Sequence, residues 1–100
     1  MEIEKYLLRK KIKPHYKGFK QLAYAIELCQ KDETYLGGMT TRLYPDIADD
    51  LGTTKTQVER ALRLAIRCAG IEQTLSEFIA RAVLDIKLAR FSKRKAKNDN

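Results

Sequence analysis

YPDIADDLGTTKTQVERALRLAIRCA, residues 44–69, decides how the chain folds. Tyr44 to Leu51 reads as a short helix with Pro45 in its first turn, where a fixed φ is suited and the missing N–H is not needed. Asp46 lies near the same end, where the helix dipole favours an acid. Gly52 is placed to take a left-handed conformation after the last turn. Thr54-Lys-Thr-Gln57 then has the T-x-x-Q form of a capping box, opening a second helix expected to reach Ala69 and stop at Gly70. Ala48, Gly52 and Val58 fall in an A-x3-G-x5-V spacing. It gives a small side chain where two helices cross, a positive-φ turn, and an apolar anchor for the second helix on the first. Ile47 and Leu51 are expected to complete the apolar seam. This is the pattern of a helix-turn-helix, a scaffold whose second helix lies in a DNA major groove.

At about 100° per residue, Val58, Ala61, Leu62, Ala65 and Ala69 share one side of the second helix and are expected to pack inward. Thr56, Arg60, Arg63 and Arg67 cluster in a narrow arc opposite. Arginine reaches O6 and N7 of guanine as a bidentate pair, which makes three arginines on one outward stripe suited to a groove. Docking places the first turns deepest, so Lys55, Thr56, Gln57, Glu59, Arg60 and Arg63 are the candidates for base contact, and Arg67 suits the backbone. Gln57 fits adenine and Glu59 fits the amino group of cytosine. A blander reading stands beside this one. Glu59 and Arg63, four residues apart, also suit a solvated surface pair, and Gln57 suits the cap.

Working outward, residues 2–12 carry Ile3, Tyr6, Leu7 and Lys10 at helical spacing, a short helix ended by Pro14. A helix from about Gly18 to Lys31 has Phe19, Leu22, Ala23, Ile26 and Cys29 as its apolar stripe. Gly37-Gly38 fits either a hairpin turn or an irregular or short helical connection. The flanking runs are too short to pair stably alone, which favours the connection. Thr74-Leu-Ser-Glu77 is a second capping box, starting a last helix through about Arg90. The expected fold is all-α: a compact bundle of about five helices containing the helix-turn-helix. It forms one domain over residues 1–91, followed by a basic and polar tail, 92–100, that is expected to fray.

The charge of +7 in 100 residues favours a polyanionic partner. Besides the arginine stripe, Lys10, Lys11, Lys13, Lys17 and Lys20 form an amino-terminal cluster and Lys93 to Lys97 a carboxy-terminal one. Either suits phosphate, which sets register without reading sequence. The opening Met1-Glu-Ile-Glu lacks the features of an export signal, and no segment approaches the ~20 apolar residues a membrane span needs, so a cytoplasmic protein is expected. Cys29 and Cys68 are isolated on apolar helix sides and read as buried thiols rather than a disulfide or metal site. His15 stands alone beside Pro14, with no nucleophile elbow, phosphate loop or ligand cluster to suggest an enzyme, a metal or a cofactor.

The last helix is more apolar than one buried face requires. Leu75, Phe78, Ile79, Ala82, Val83, Ile86 and Ala89 define one stripe, while Ala80, Leu84, Leu88 and Phe91 lie nearly opposite. A homodimer contact through Leu84, Leu88 and Phe91 would cover the second stripe and set two reading helices on adjacent half-sites. A deeper insertion of the helix would also explain it. Double-stranded DNA is the expected partner, with RNA polymerase a further candidate and the membrane excluded. The competing function is a protein-interaction adaptor on a helix-turn-helix scaffold.

These residues also carry a resemblance. Leu36-Gly37, Thr40, the run Leu43-Tyr44-Pro45-Asp46-Ile47-Ala48, Thr53-Thr54, Val58-Glu59-Arg60-Ala61-Leu62-Arg63 and Ala65-Ile66 resemble the effector domain of the stage-zero sporulation master regulator family of endospore-forming bacteria. Lys17-Gly18-Phe19, Leu22, Ala25-Ile26 and Ser76-Glu77-Phe78-Ile79-Ala80 extend the likeness to about residues 12–90. The resemblance implies a helical transcription-factor domain binding short, often tandem, DNA boxes, with Glu59, Arg60 and Arg63 as contacts. Three departures are visible. A phosphoacceptor receiver domain has no room here, so a stand-alone effector domain is expected. Gln57 stands where relatives carry a basic residue, which implies a different box preference. The segment from Gly70 to Thr74 is shorter than in the family and is expected to omit a small helix.

Overall fold

Ile3, Tyr6 and Leu7 line the buried side of the first helix, α1 (Glu2–Arg9), in the computed structural model, which describes residues 2–98. The helix stops five residues before Pro14, because the turn is made by Lys11 in the left-handed region, φ 67°. Two hydrogen bonds close it, from Lys11 N to the Leu8 carbonyl at 2.9 Å and from Ile12 N to the Leu7 carbonyl at 3.1 Å. This is the Schellman arrangement usually taken by glycine, and it drops Ile12 into the core, 1% exposed.

Helix α2 (Lys17–Lys31) buries Gly18, Phe19, Leu22, Ala25, Ile26 and Cys29, and Ala23 is half-buried beside them. The segment around Gly37-Gly38 is a helical connection and not a hairpin, since a 3-10 turn over Glu33–Gly37 leads into a π turn over Met39–Leu43. Asp32 caps the first with its carboxylate, accepting from Thr34 N at 3.0 Å. The π turn runs without a break into α3 (Tyr44–Leu51), and Met39, Leu43 and Tyr44 enter the core together.

Helix α4 (Lys55–Cys68) and α5 (Leu75–Asn98) complete an all-α bundle with no strand among the described residues. The second capping box forms in both directions. Glu77 N donates to Thr74 Oγ1 at 3.2 Å, and Thr74 N donates to Glu77 Oε1 at 3.4 Å. Helix α5 does not end near Arg90. Its backbone continues to Asn98, so residues 92–98 are helical where fraying is expected, and residues 99–100 lie outside the described part. Nothing in Ser92–Asn98 resembles a helix stop, and lysine, arginine and alanine propagate a helix well. Two further departures concern apolar residues. Leu51 is 49% exposed and does not complete the α3 seam, where Tyr44, Ile47 and Ala48 are the buried residues. Cys68 is exposed, lying about 120° round α4 from the buried Leu62, whereas Cys29 is buried. Burial pushes the Cys29 thiol up to about 11, with the nearby Asp32 carboxylate adding to the shift.

Helices α2 and α4 approach each other closely at Gly18. A Cβ on Gly18 would sit 2.3 Å from the Ala61 carbonyl oxygen and 2.7 Å from Ala65 Cβ. The α2 backbone therefore rests on the α4 backbone over two alanines. Gly18→Ala gains up to about 1 kcal/mol in helix propensity but must push the two helices apart. The expected net result is a loss of roughly 1–3 kcal/mol of unfolding free energy in urea titrations. Gly37→Ala, whose added Cβ meets nothing within 4 Å, should be near neutral in the same assay.

Candidate nucleic-acid interface

Three local devices fix the angle between α3 and α4. Gly52 takes φ 66°, and its N–H and that of Thr53 donate to the Asp49 and Ala48 carbonyls at 3.4 and 2.9 Å. This ends α3 and turns the chain within three residues. Thr54 then accepts from Gln57 N at 3.2 Å through its side-chain oxygen, capping α4. The capping box is only half made. Gln57 Oε1 takes the Thr53 hydroxyl instead of the Thr54 N–H, so the Gln57 side chain is tied to the turn in the absence of DNA.

Behind this turn Ile47, Ala48, Val58 and Leu62 are buried against one another's helices, with Ala65 and Ile66 continuing the inner face of α4. Ile66 was not among the residues expected inside, whereas Ala61 and Ala69 are only half-buried. The outer face is free of core contacts. Lys55, Thr56, Gln57, Arg60, Arg63 and Arg67 are all exposed, and Glu59 is half-buried among them. Every candidate for DNA contact is thus at least partly open to solvent, with Thr56, Arg60, Arg63 and Arg67 sharing the arc opposite the core. Two further residues of α4 are exposed: Leu64, 55% exposed, beside the arginine arc, and Cys68, nearer its edge with the core. Leu64 stands about 40° from Arg60 around the helix, a position legible from spacing but masked by the habit of assigning leucine to the core.

Glu59 organises the charges. Its carboxylate lies 3.9 Å from Lys55 Nζ and 3.5 Å from an Arg63 nitrogen, both at the i,i+4 helical spacing. Such exposed pairs contribute only about 0.3–0.5 kcal/mol each, so both cations remain available to a stronger anion. Arg60 and Arg67 make no ion pair among the described residues. Four cations against one acid give this face a positive field, presented on a single rigid helix. Between the end of α4 and the start of α5, Arg63 and Arg67 also border a shallow groove with Glu72 and Thr74.

The segment from Gly70 to Thr74 contains no helix, as its short length implies. Gly70, φ 77°, closes α4 with a third left-handed turn. No group of three or more histidine, cysteine or acidic side chains is placed to hold a metal ion among the described residues. No helix of the described residues is long and apolar enough to cross a membrane.

The family model described as "Sporulation initiation factor Spo0A C terminal" matches residues 3–98. Thr54 supplies the one side-chain cap that starts the exposed helix. Thr54→Ala is expected to lower unfolding free energy by about 1 kcal/mol in denaturant melts, and Thr54→Ser to retain it.

Proposed function

The chain belongs to the sporulation initiation factor Spo0A C-terminal family, and from that premise we propose that it is a sequence-specific transcriptional regulator reading the major groove of double-stranded DNA with α4. The family is one of DNA-binding regulatory domains, so binding to DNA is the general activity of this chain. The observation that supports reading by α4 is its outer face. Thr56, Arg60, Arg63 and Arg67 share the exposed arc, Lys55 and Gln57 are exposed in the first turn, and Glu59 is half-buried beside them, while Val58, Leu62, Ala65 and Ile66 face the core.

In this reading the first turns of α4 enter the groove. Arg60 and Arg63 meet guanine edges, each bidentate pair contributing about 1–3 kcal/mol of discrimination. Glu59 accepts from a cytosine amino group, with Lys55 and Arg63 neutralising the remainder of its charge. Gln57 exchanges its bond to Thr53 for an adenine, or stays on the turn and leaves that base unread. Arg67, one turn further along, meets the phosphate backbone.

A second copy of the chain is the partner proposed for α5. Leu84, Leu88 and Phe91 are 46, 53 and 65% exposed, a stripe of large apolar side chains that the bundle leaves uncovered. Pairing through it would present two α4 helices to half-sites spaced by a turn of the duplex. Leu88→Glu is expected to shift the protein toward monomer in sedimentation experiments and to weaken binding to tandem boxes. A wild-type protein that stays monomeric at high concentration and on DNA would remove this contact.

Selection from random duplex DNA tests the main proposal. The wild type should enrich one motif, and Arg60→Ala and Arg63→Ala should each relax it at a defined position, with affinity falling roughly 5- to 150-fold, the equivalent of 1–3 kcal/mol. A wild type that enriches nothing would favour an adaptor scaffold, with the Leu84–Phe91 stripe as its binding surface.

A further inference from the structure

From Lys5 to Ile26 the chain carries Lys5, Arg9, Lys10, Lys11, Lys13, Lys17 and Lys20 and not one acidic residue. These cations are exposed, and none is in an ion pair among the described residues. Several other cations are compensated. Lys31 meets Glu27, Arg42 meets Asp32, Arg81 meets Asp85, Lys87 meets Glu33 and Arg90 meets Glu2. Among the described residues, unbalanced charge therefore lies on α1, the connection after it and the start of α2, in addition to the outer face of α4.

The fold brings part of this charge beside the helix-turn-helix. Gly18 lies against Ala61 and Ala65, so its exposed neighbour Lys17 stands at the start of α2 where that helix packs on α4. Helical spacing puts Lys17, Lys20 and Tyr24 on one face of α2. The Tyr24 hydroxyl donates to Asp50, in the last turn of α3, which turns that face toward the helix-turn-helix. Lys13 precedes it in the exposed connection. Lys10 sits differently, over the Tyr6 ring and lining the crevice between α1 and α5.

We propose that Lys13, Lys17 and Lys20 form a second DNA contact, gripping the phosphate backbone that borders the groove entered by α4. This rests on the reading of α4 as a groove-binding helix. A helix seated in a major groove has a phosphate strand on each side, and a row of lysines along its flank meets one of them. Lysine is a compact, flexible charge suited to phosphates and poor at telling bases apart. The patch therefore contributes affinity and register while leaving sequence choice to α4.

The test compares wild type, the triple variant Lys13→Gln/Lys17→Gln/Lys20→Gln, and a charge-matched control, Lys31→Gln/Arg81→Gln/Lys87→Gln, on the duplex box the wild type enriches. Thermal melts check that each is folded. Each lost phosphate contact should reduce the slope of log affinity against log salt by about 0.9, so the triple variant should lose up to about 2.7 while enriching the same motif. The control should keep the wild-type slope. An unchanged slope in the triple variant, or an equal drop in the control, would overturn the lysine contact and leave the reading by α4 intact. A wild type that binds no duplex would remove both.

Discussion

Helix α4 is held where it is by an absence of side chain. Gly18 brings the backbone of α2 onto the Ala61 carbonyl and the Ala65 methyl, closer than any other residue type allows. Two helices that approach on small residues have their separation set by backbone atoms, which yield far less than a leucine or methionine would. The remaining core then fills around this contact. Leu22, Ala25 and Ile26 of α2, Val58 and Leu62 of α4 and Phe78, Ile79 and Ala82 of α5 are all buried to within a few per cent. A helix fixed in this way can carry long arginines on its far side without its axis shifting when they engage a ligand.

Helix ends supply the other constraint. Lys11, Gly52 and Gly70 each take a left-handed conformation, and each directs two N–H groups back to carbonyls of the preceding turn. These turns are short and satisfy their own backbone groups, so each helix leaves its predecessor at a defined angle. The entry to α3 is different. There the π turn of Met39–Leu43 carries straight into the α-helix, and its alignment comes from burial of Met39, Leu43 and Tyr44. Burial is also the main cause of the raised Tyr44 pKa.

The surface divides by charge in a way that suits a polyanion. Acids and bases pair off at Arg81, Lys87 and Arg90 of α5 and at the end of α2, so these cations are compensated. Excess positive charge remains on the outer face of α4 and on the start of α2, two regions that the Gly18 contact makes neighbours. Within α4 the single acid, Glu59, lies between Lys55 and Arg63 and keeps their side chains ordered at small energetic cost. Field strength and direction at this surface thus follow from the same close packing that fixes the helix.

Much of this was legible in the chain itself. Local signals act within a few residues, so Pro45, Gly52, Thr54, Gly70 and the Thr74–Glu77 box defined the ends of α3, α4 and the start of α5. Periodicity divided α4 into an apolar and a charged side, and with the family resemblance it determined the helix-turn-helix. Decisions that depend on a distant neighbour were made only by the tertiary structure. Leu51, Leu64 and Cys68 look like core residues by type but find no partner helix over them, and so stay exposed. Lys11 adopts a glycine's conformation because Ile12 must reach the core. Gln57 turns to Thr53, and Gly18 acquires its role from two alanines more than forty residues away. Sequence spacing encodes which way a side chain leaves its own helix, but whether another helix meets it there depends on packing across the whole bundle.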